Sequence, residues 1–216
     1  MAKEGQSGRA GLDGILGAAS DAVRRGPPPV HLWNPPFCGD LDMRIAADGT
    51  WYYLKTPIGR PALVRLFASV LKREGDKYFL VTPVEKCGIQ VEDSPFLAVE
   101  LRVEQAGLGT EPGTQFGTQR CQTLQRGQTL HFRTNVDDWV ACEPGHGLRF
   151  EMAADGGITP YLHVRADLWA KVTRALYYDL VDMGEPRMID GEEKFGVESG
   201  GEFFAMADAE QVRNAL

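Results

Sequence analysis

Three residue types capable of covalent chemistry, His31, Cys38 and Asp40, fall close together near the start of the chain. A cysteine becomes nucleophilic at neutral pH when a base or cation beside it favours the thiolate, so the trio has the ingredients of a nucleophile, a base and an orienting carboxylate. No cysteine-hydrolase signature surrounds Cys38, and the competing account is a small apolar residue packed in a proline-rich loop. A second constellation, Asp40, Asp42, Asp137 and Asp138 with His31, His131 or His163, has the oxygen and imidazole groups of a cation site. Nothing matches an EF-hand or a His-Glu-x-x-His helix. No catalytic residue, metal or cofactor is therefore assigned.

A third constellation points to binding. Tyr161, His163 and Arg165 alternate onto one face of an expected strand, and Lys55 with Arg60 occupies the corresponding end of an earlier hairpin. Cationic and aromatic groups so placed would accept an anionic metabolite or the carboxylates of a partner. Asn135 and Asp138 cluster at another strand end. The segment from His31 to Asp42 holds two prolines and a glycine yet carries Trp33, Phe37 and Leu41, so it is expected to pack as a loop over a surface, presenting Trp33, Phe37, Cys38 and Asp40. Glu85-Lys86 and Glu193-Lys194 are read as turn charges, since adjacent strand residues face opposite ways. No glycine pattern suggests a nucleotide site.

These residues must be positioned by a scaffold, and composition bounds it. The chain has 216 residues, 43% of them apolar, enough for a sizeable core in one or two domains. A net charge of −7 is the wrong sign for a dedicated phosphate-backbone binder, so nucleic acid is not expected as a partner. No membrane-spanning run or signal-peptide pattern is seen, and cytoplasmic placement is the expectation. Cys38, Cys87, Cys121 and Cys142 are scattered, without a Cys-x-x-Cys pair or a disulfide framework.

The scaffold is written twice. Landmarks recur at offsets of 107 (Asp48 to Asp155), 109 (Leu71 to Leu180), 108 (Glu85 to Glu193) and 107 (Phe96 to Phe203). Each copy reads as a hairpin around Asp-Gly, a helix, then short antiparallel strands, an α+β pattern with the copies expected about a pseudo-twofold axis. Asp48-Gly49 is expected to form a type I′ turn. The first helix is expected from Pro61 in its first turn, with an apolar face from Leu63 to Leu71 and Gly75 as its cap, and the second from Asp167 at its N-cap through Leu180, closing at Gly184. Phe96 to Val103 is expected to place Leu97, Val99, Leu101 and Val103 on one face. Residues 1–29 form a mobile tail or a weak helix ordered by docking, because Gly11, Gly14 and Gly17 each cost a helix about 1 kcal/mol. Residues 30–104 and 148–216 are the two repeats. Residues 105–147 connect them through an exposed Gly-, Thr- and Gln-rich stretch, and the last residues, Ala207 to Leu216, suit a short helix.

The strings Asn34-Pro35-Pro36-Phe37-Cys38-Gly39-Asp40, Thr82-Pro83-Val84-Glu85-Lys86-Cys87-Gly88-Ile89 and Asp93 to Glu100 carry a resemblance to a proteobacterial family of uncharacterised proteins, domain of unknown function 1285. The likeness extends over most of residues 31–185 and implies repeated α+β motifs in two similar halves, with a leaning toward ligand-responsive signalling. The functional expectation is a regulatory module binding a small molecule or peptide between its repeats. A hydrolase or transferase using Cys38, or carboxylates with His31, in the Trp33 to Asp42 segment, and an interaction scaffold able to dimerise through exposed strands, are the alternatives.

Overall fold

The computed structural model describes residues 12–23, 28–105, 127–152 and 157–209. Helix α1 (Leu12–Val23) is followed by a 3-10 turn at Val30–Leu32. Then come β1 (Phe37–Ile45), β2 (Trp51–Tyr53), β3 (Thr56–Pro57), α2 (Pro61–Ser69), β4 (Leu71–Glu74), β5 (Lys77–Val81) and β6 (Lys86–Val91). A meander of β7 (Phe96–Gln105), β8 (Gln128–Thr134) and β9 (Trp139–Cys142) leads into β10 (Leu148–Met152), β11 (Ile158–Arg165), β12 (Leu168–Val172), α3 (Arg174–Asp182), β13 (Glu185–Ile189), β14 (Glu192–Ser199) and β15 (Glu202–Asp208).

The fold is α+β and tandemly duplicated. Three strands, a helix and three strands (β1 to β6 around α2) recur as β10 to β15 around α3. In the first copy all six strands share one sheet in the order β3-β2-β1-β6-β5-β4. The meander joins the second copy's opening strands in a second six-stranded sheet, β10-β11-β12-β7-β8-β9, and β13-β14-β15 form a third. The parallel β1–β6 pair has its counterpart in β10, which lies against β15. This equivalence corrects three of the four landmarks: Leu71 opens the strand after α2, whereas Leu180 lies within α3, and Lys86 opens the last strand of its copy, whereas Glu193-Lys194 lies in the middle one. Phe96 begins the meander, whereas Phe203 lies in β15.

Two compact units result, one built on Met1–Leu97 with Asn135–Asp137 and Val164–Ala170, the other on Ala98–Thr134, Asp138–His163 and Lys171–Leu216. In the first, Met43, Ile45, Leu80 and Cys87 point from the sheet toward buried Phe67 and Ala68 of α2. Helix α1 packs on α2 through buried Ile15 and Ala19, so the weak helix is ordered by docking. In the second unit Leu130, Phe132 and Thr134 alternate inward along β8, with Leu176 and Leu180 of α3 also buried.

Several expected boundaries move. Helix α2 stops at Ser69 because Leu71 onward pairs with β5, and Gly75 (φ +60°) serves that hairpin's turn instead of capping a helix. Leu168, Ala170 and Val172 face inward from a strand, and the helix after it starts at Arg174 with Thr173 at its N-cap. The Asp48-Gly49 turn is a type I turn ending in left-handed Gly49 (φ +79°): the Gly49 amide donates to the Ala46 carbonyl, and the Ala46 amide to that of Thr50. Positive φ at successive residues falls instead on Leu54 and Lys55, between β2 and β3. A register irregularity between Ala98 and Glu100 leaves Val99 and Val103 exposed while Phe96 and Ala98 are buried. The Asp155-Gly156 turn, the Gly-, Thr- and Gln-rich stretch apart from its end residues, and the terminal segment after Ala209 lie outside the described residues.

Candidate functional site

The segment expected as a packed loop is largely strand. After Pro35 and Pro36, β1 begins at Phe37 and pairs in parallel with β6, but not evenly. Phe37 lies opposite Lys86 and Asp40 opposite Gly88, three residues against two, and Arg44 lies opposite Gln90, four against two. Gly39 absorbs the first irregularity at φ +104°, a backbone region that side chains disfavour. Such bulges re-aim side chains. Here the Asp40 carboxylate lies across Gly88: a Cβ on Gly88 would run into Asp40 Oδ1. Sequence reasoning passed over Gly88, although an isolated glycine inside a strand signals close approach of this kind.

Asp40 and Gly88 form part of a groove of about 500 Å³ that also takes in Tyr78, Phe79, Gln90 and Glu92. Its ionic surroundings are largely neutralised. The Phe37 ring, 55% of that residue being exposed, meets Phe79 edge-on at 6.2 Å. Lys86 Nζ lies 5.0 Å from the Phe79 centroid and 2.9 Å from Glu74 Oε2, while Lys72 Nζ reaches Glu74 Oε1 at 3.0 Å. Elsewhere Arg44 pairs with Glu92 and covers the Tyr52 ring at 4.5 Å, and Arg73 lies 3.6 Å from Asp76. The Ala47 amide and then Arg44 hold the Glu92 carboxyl below its ordinary value. Asp40 has no hydrogen bond or ion pair among the described residues.

Hydrogen bonds from Lys86 and then Lys72 likewise depress Glu74 below its ordinary 4.5. A carboxyl depressed by folding stabilises the native state above its unfolded value and loses that contribution as pH falls through its folded one. Glu74→Gln should therefore melt below wild type at neutral pH, with the gap closing once pH falls well under 4.5. A gap that persists in acid would show that packing, not charge, is at work.

A smaller cavity of about 280 Å³ lies elsewhere in the first unit, among Trp51, Ile58, Pro61, Arg65, Asn135 and Asp137. Asn135 Oδ1 accepts from the Leu97 amide at 3.1 Å and its Nδ2 donates to Gly49 O at 3.4 Å, while Arg65 binds Asp137 at 2.6 Å. These groups have architectural partners.

The remaining expected site residues do not converge. Trp33 is half-buried, its carbonyl accepting from Lys72 Nζ at 3.4 Å. Lys55 sits exposed in the β2–β3 turn, and the Arg60 carbonyl accepts the first amide bonds of α2. Asp138, exposed, closes the β8–β9 hairpin through its backbone to Thr134. Tyr161, His163 and Arg165 do alternate along β11, but each serves a local contact. Tyr161 is buried with Arg149 5.2 Å from its ring centroid, and His163 Nδ1 meets Gly145 O at 2.6 Å while its ring stacks on His146. Arg165 donates to Ala68 O at 2.7 Å, at the carbonyl end of α2, and lies 5.2 Å from the Phe96 ring centroid. The expected cationic groove is thus replaced by structural bonds.

The cysteines also separate. Burial, ahead of the charges of Glu85, Cys38 and Asp40, pushes the Cys87 thiol up to about 11, and burial pushes Cys142 up to about 12. Cys38 is half-exposed, its Sγ 3.5 Å from the Pro36 carbonyl, not on a base. Iodoacetamide on the native protein at mildly alkaline pH should alkylate Cys38 and leave Cys87 and Cys142 unmodified, read by peptide mass spectrometry. Rapid labelling of Cys142 would contradict its burial.

The fold defines a class, a tandem α+β protein with a three-stranded meander between the two copies in the chain. Models of the DUF1285 family match it in two parts: the N-terminal domain (domain of unknown function) at residues 28–94, and the C-terminal domain (protein of unknown function) at residues 115–206. The chain belongs to the DUF1285 family. It is similar to the crystal structure of a DUF1285 family protein from Silicibacter pomeroyi DSS-3, with 46% identity over 94% of this chain and 100% of that one, at a TM-score of 0.76. It also matches a DUF1285 family protein from Shewanella baltica OS155, with 31% identity over 64% of this chain and 89% of that one, at a TM-score of 0.44. No curated protein matches.

Proposed function

We propose that this protein is a cytoplasmic, non-enzymatic module that binds a small ligand in the groove of its first unit and relays occupancy as regulation. The observation carrying this reading is the doubly irregular β1, which lays a carboxylate without a described partner over a glycine inside a groove of about 500 Å³. That volume is in the range of small-molecule sites, and bulged strands are common beside them. The two described buried thiols are held protonated, which favours binding over cysteine chemistry. No described helix is long and apolar enough to cross a membrane.

A thermal-shift screen of metabolites tests the reading with wild type, Cys38→Ala and Gln90→Trp, the last filling the groove from an exposed strand position. Ligands should raise the Tm of wild type and Cys38→Ala and leave Gln90→Trp unmoved. Hits that survive in Gln90→Trp would move the site elsewhere, and a turnover abolished by Cys38→Ala would make the protein an enzyme.

A further inference from the structure

We propose that the ligand of this groove is an organic cation whose ammonium or guanidinium group sits on Asp40, with its carbon skeleton running toward Phe79. The inference rests on reading the groove as a binding site and adds the chemical class of what it holds.

Charge pairing around the groove carries it. The other two carboxylates lining the groove have cations, Asp76 with Arg73 and Glu92 with Arg44, and Glu74 on β4 has Lys72 and Lys86. Those cations are engaged in return, Lys86 also with the Phe79 ring and Arg44 with Tyr52. Lys77, the remaining cation on the groove, lies two residues along β5 from Phe79 and makes no ion pair with Asp40. Asp40 is left as a carboxylate without a described cation, so a positive group seated there would come from outside.

Its position is built by the backbone. The three-against-two register and left-handed Gly39 turn Asp40 toward β6, and Gly88 leaves the space that the carboxylate occupies. In the same register Gly88 lies opposite Phe79 of β5, so carboxylate, glycine and aromatic ring cross three adjacent strands in one line. A charge-assisted hydrogen bond from an ammonium or guanidinium group to Asp40 supplies direction, and the Phe79 ring supplies apolar contact for the stem.

Two-dimensional amide NMR of the full chain decides the matter, with putrescine, agmatine and choline as probes and succinate and glucose as controls. The three cations should move the Phe79, Gly88 and Gln90 amides saturably. The shifts should weaken as salt rises, since an exposed charge contact is screened. Asp40→Asn should raise the dissociation constant about tenfold, the scale of one charge-assisted bond. Gly88→Ala should weaken binding in the same direction with the protein still folded, because the atom its methyl meets is the free end of Asp40. Dispersion of the remaining amides confirms folding in both variants. If the cations bind Asp40→Asn as tightly as wild type, or if only succinate or glucose moves these amides, the cation assignment is overturned while the groove remains a site. If none of the five compounds moves them, and metabolite hits persist in Gln90→Trp, both the cation and the groove are overturned.

Discussion

Replacing Trp51 with alanine should lower the unfolding free energy of the first unit by about 3–5 kcal/mol, the range for emptying a buried aromatic site. Trp51 is 1% exposed, pairs with Ile45 across the first hairpin, and stacks on Phe67 of α2 at 6.3 Å with the rings 17° apart. It therefore joins sheet to helix at a point where neither neighbour can collapse inward without breaking a strand pair or a helical turn. Its indole Nε1 is buried and makes no hydrogen bond in the structure, so Trp51→Phe removes volume without removing a bond. That variant should cost about 1–2 kcal/mol. Urea unfolding followed by far-ultraviolet circular dichroism measures both. A Trp51→Ala loss below about 1 kcal/mol would mean that the stack contributes little.

Ser199→Ala should be nearly as damaging in the second unit. The Ser199 hydroxyl is fully buried, accepts from the Leu130 amide at 2.8 Å and donates to the Cys142 carbonyl at 2.5 Å, tying β14 to β8 and β9. Alanine leaves a backbone donor and a backbone acceptor in the interior, each costing about 1–3 kcal/mol when unmet. We expect a loss of about 2–4 kcal/mol and faster hydrogen exchange at the Leu130 amide. Unchanged exchange there would show that another acceptor takes over.

The sequence made the duplicated α+β plan legible because the Asp48-Gly49 turn and the central positions of each apolar stripe, Leu63 to Phe67 and Leu176 to Leu180, each belong to one local element. Boundaries were lost where one spacing satisfies two periods. Leu168 and Val172 are four apart, which suits a helix turn or alternate strand positions equally, and the intervening buried Ala170 was too small to decide. The Leu54–Lys55 turn was invisible because neither residue favours positive φ. Of the expected site, Phe37 and Asp40 were brought to one strand face and Asp40 to the groove. The rest failed for a shared reason. Whether Arg165 is available to a ligand depends on the carbonyl at the end of α2, 97 positions earlier, and no local pattern reports that bond.

The parallel pairing of β1 with β6 has a consequence for synthesis. Every other strand pair in that sheet joins neighbours in the chain, whereas this one waits for Lys86 to meet Phe37, 49 residues earlier. A nascent polypeptide emerging from the ribosome has its opening hairpin, helix α2 and the β4–β5 hairpin before it has the seam that unites them. Until that closing strand arrives, two half-sheets present bare edges to solvent, the stage at which this chain is most open to misassociation.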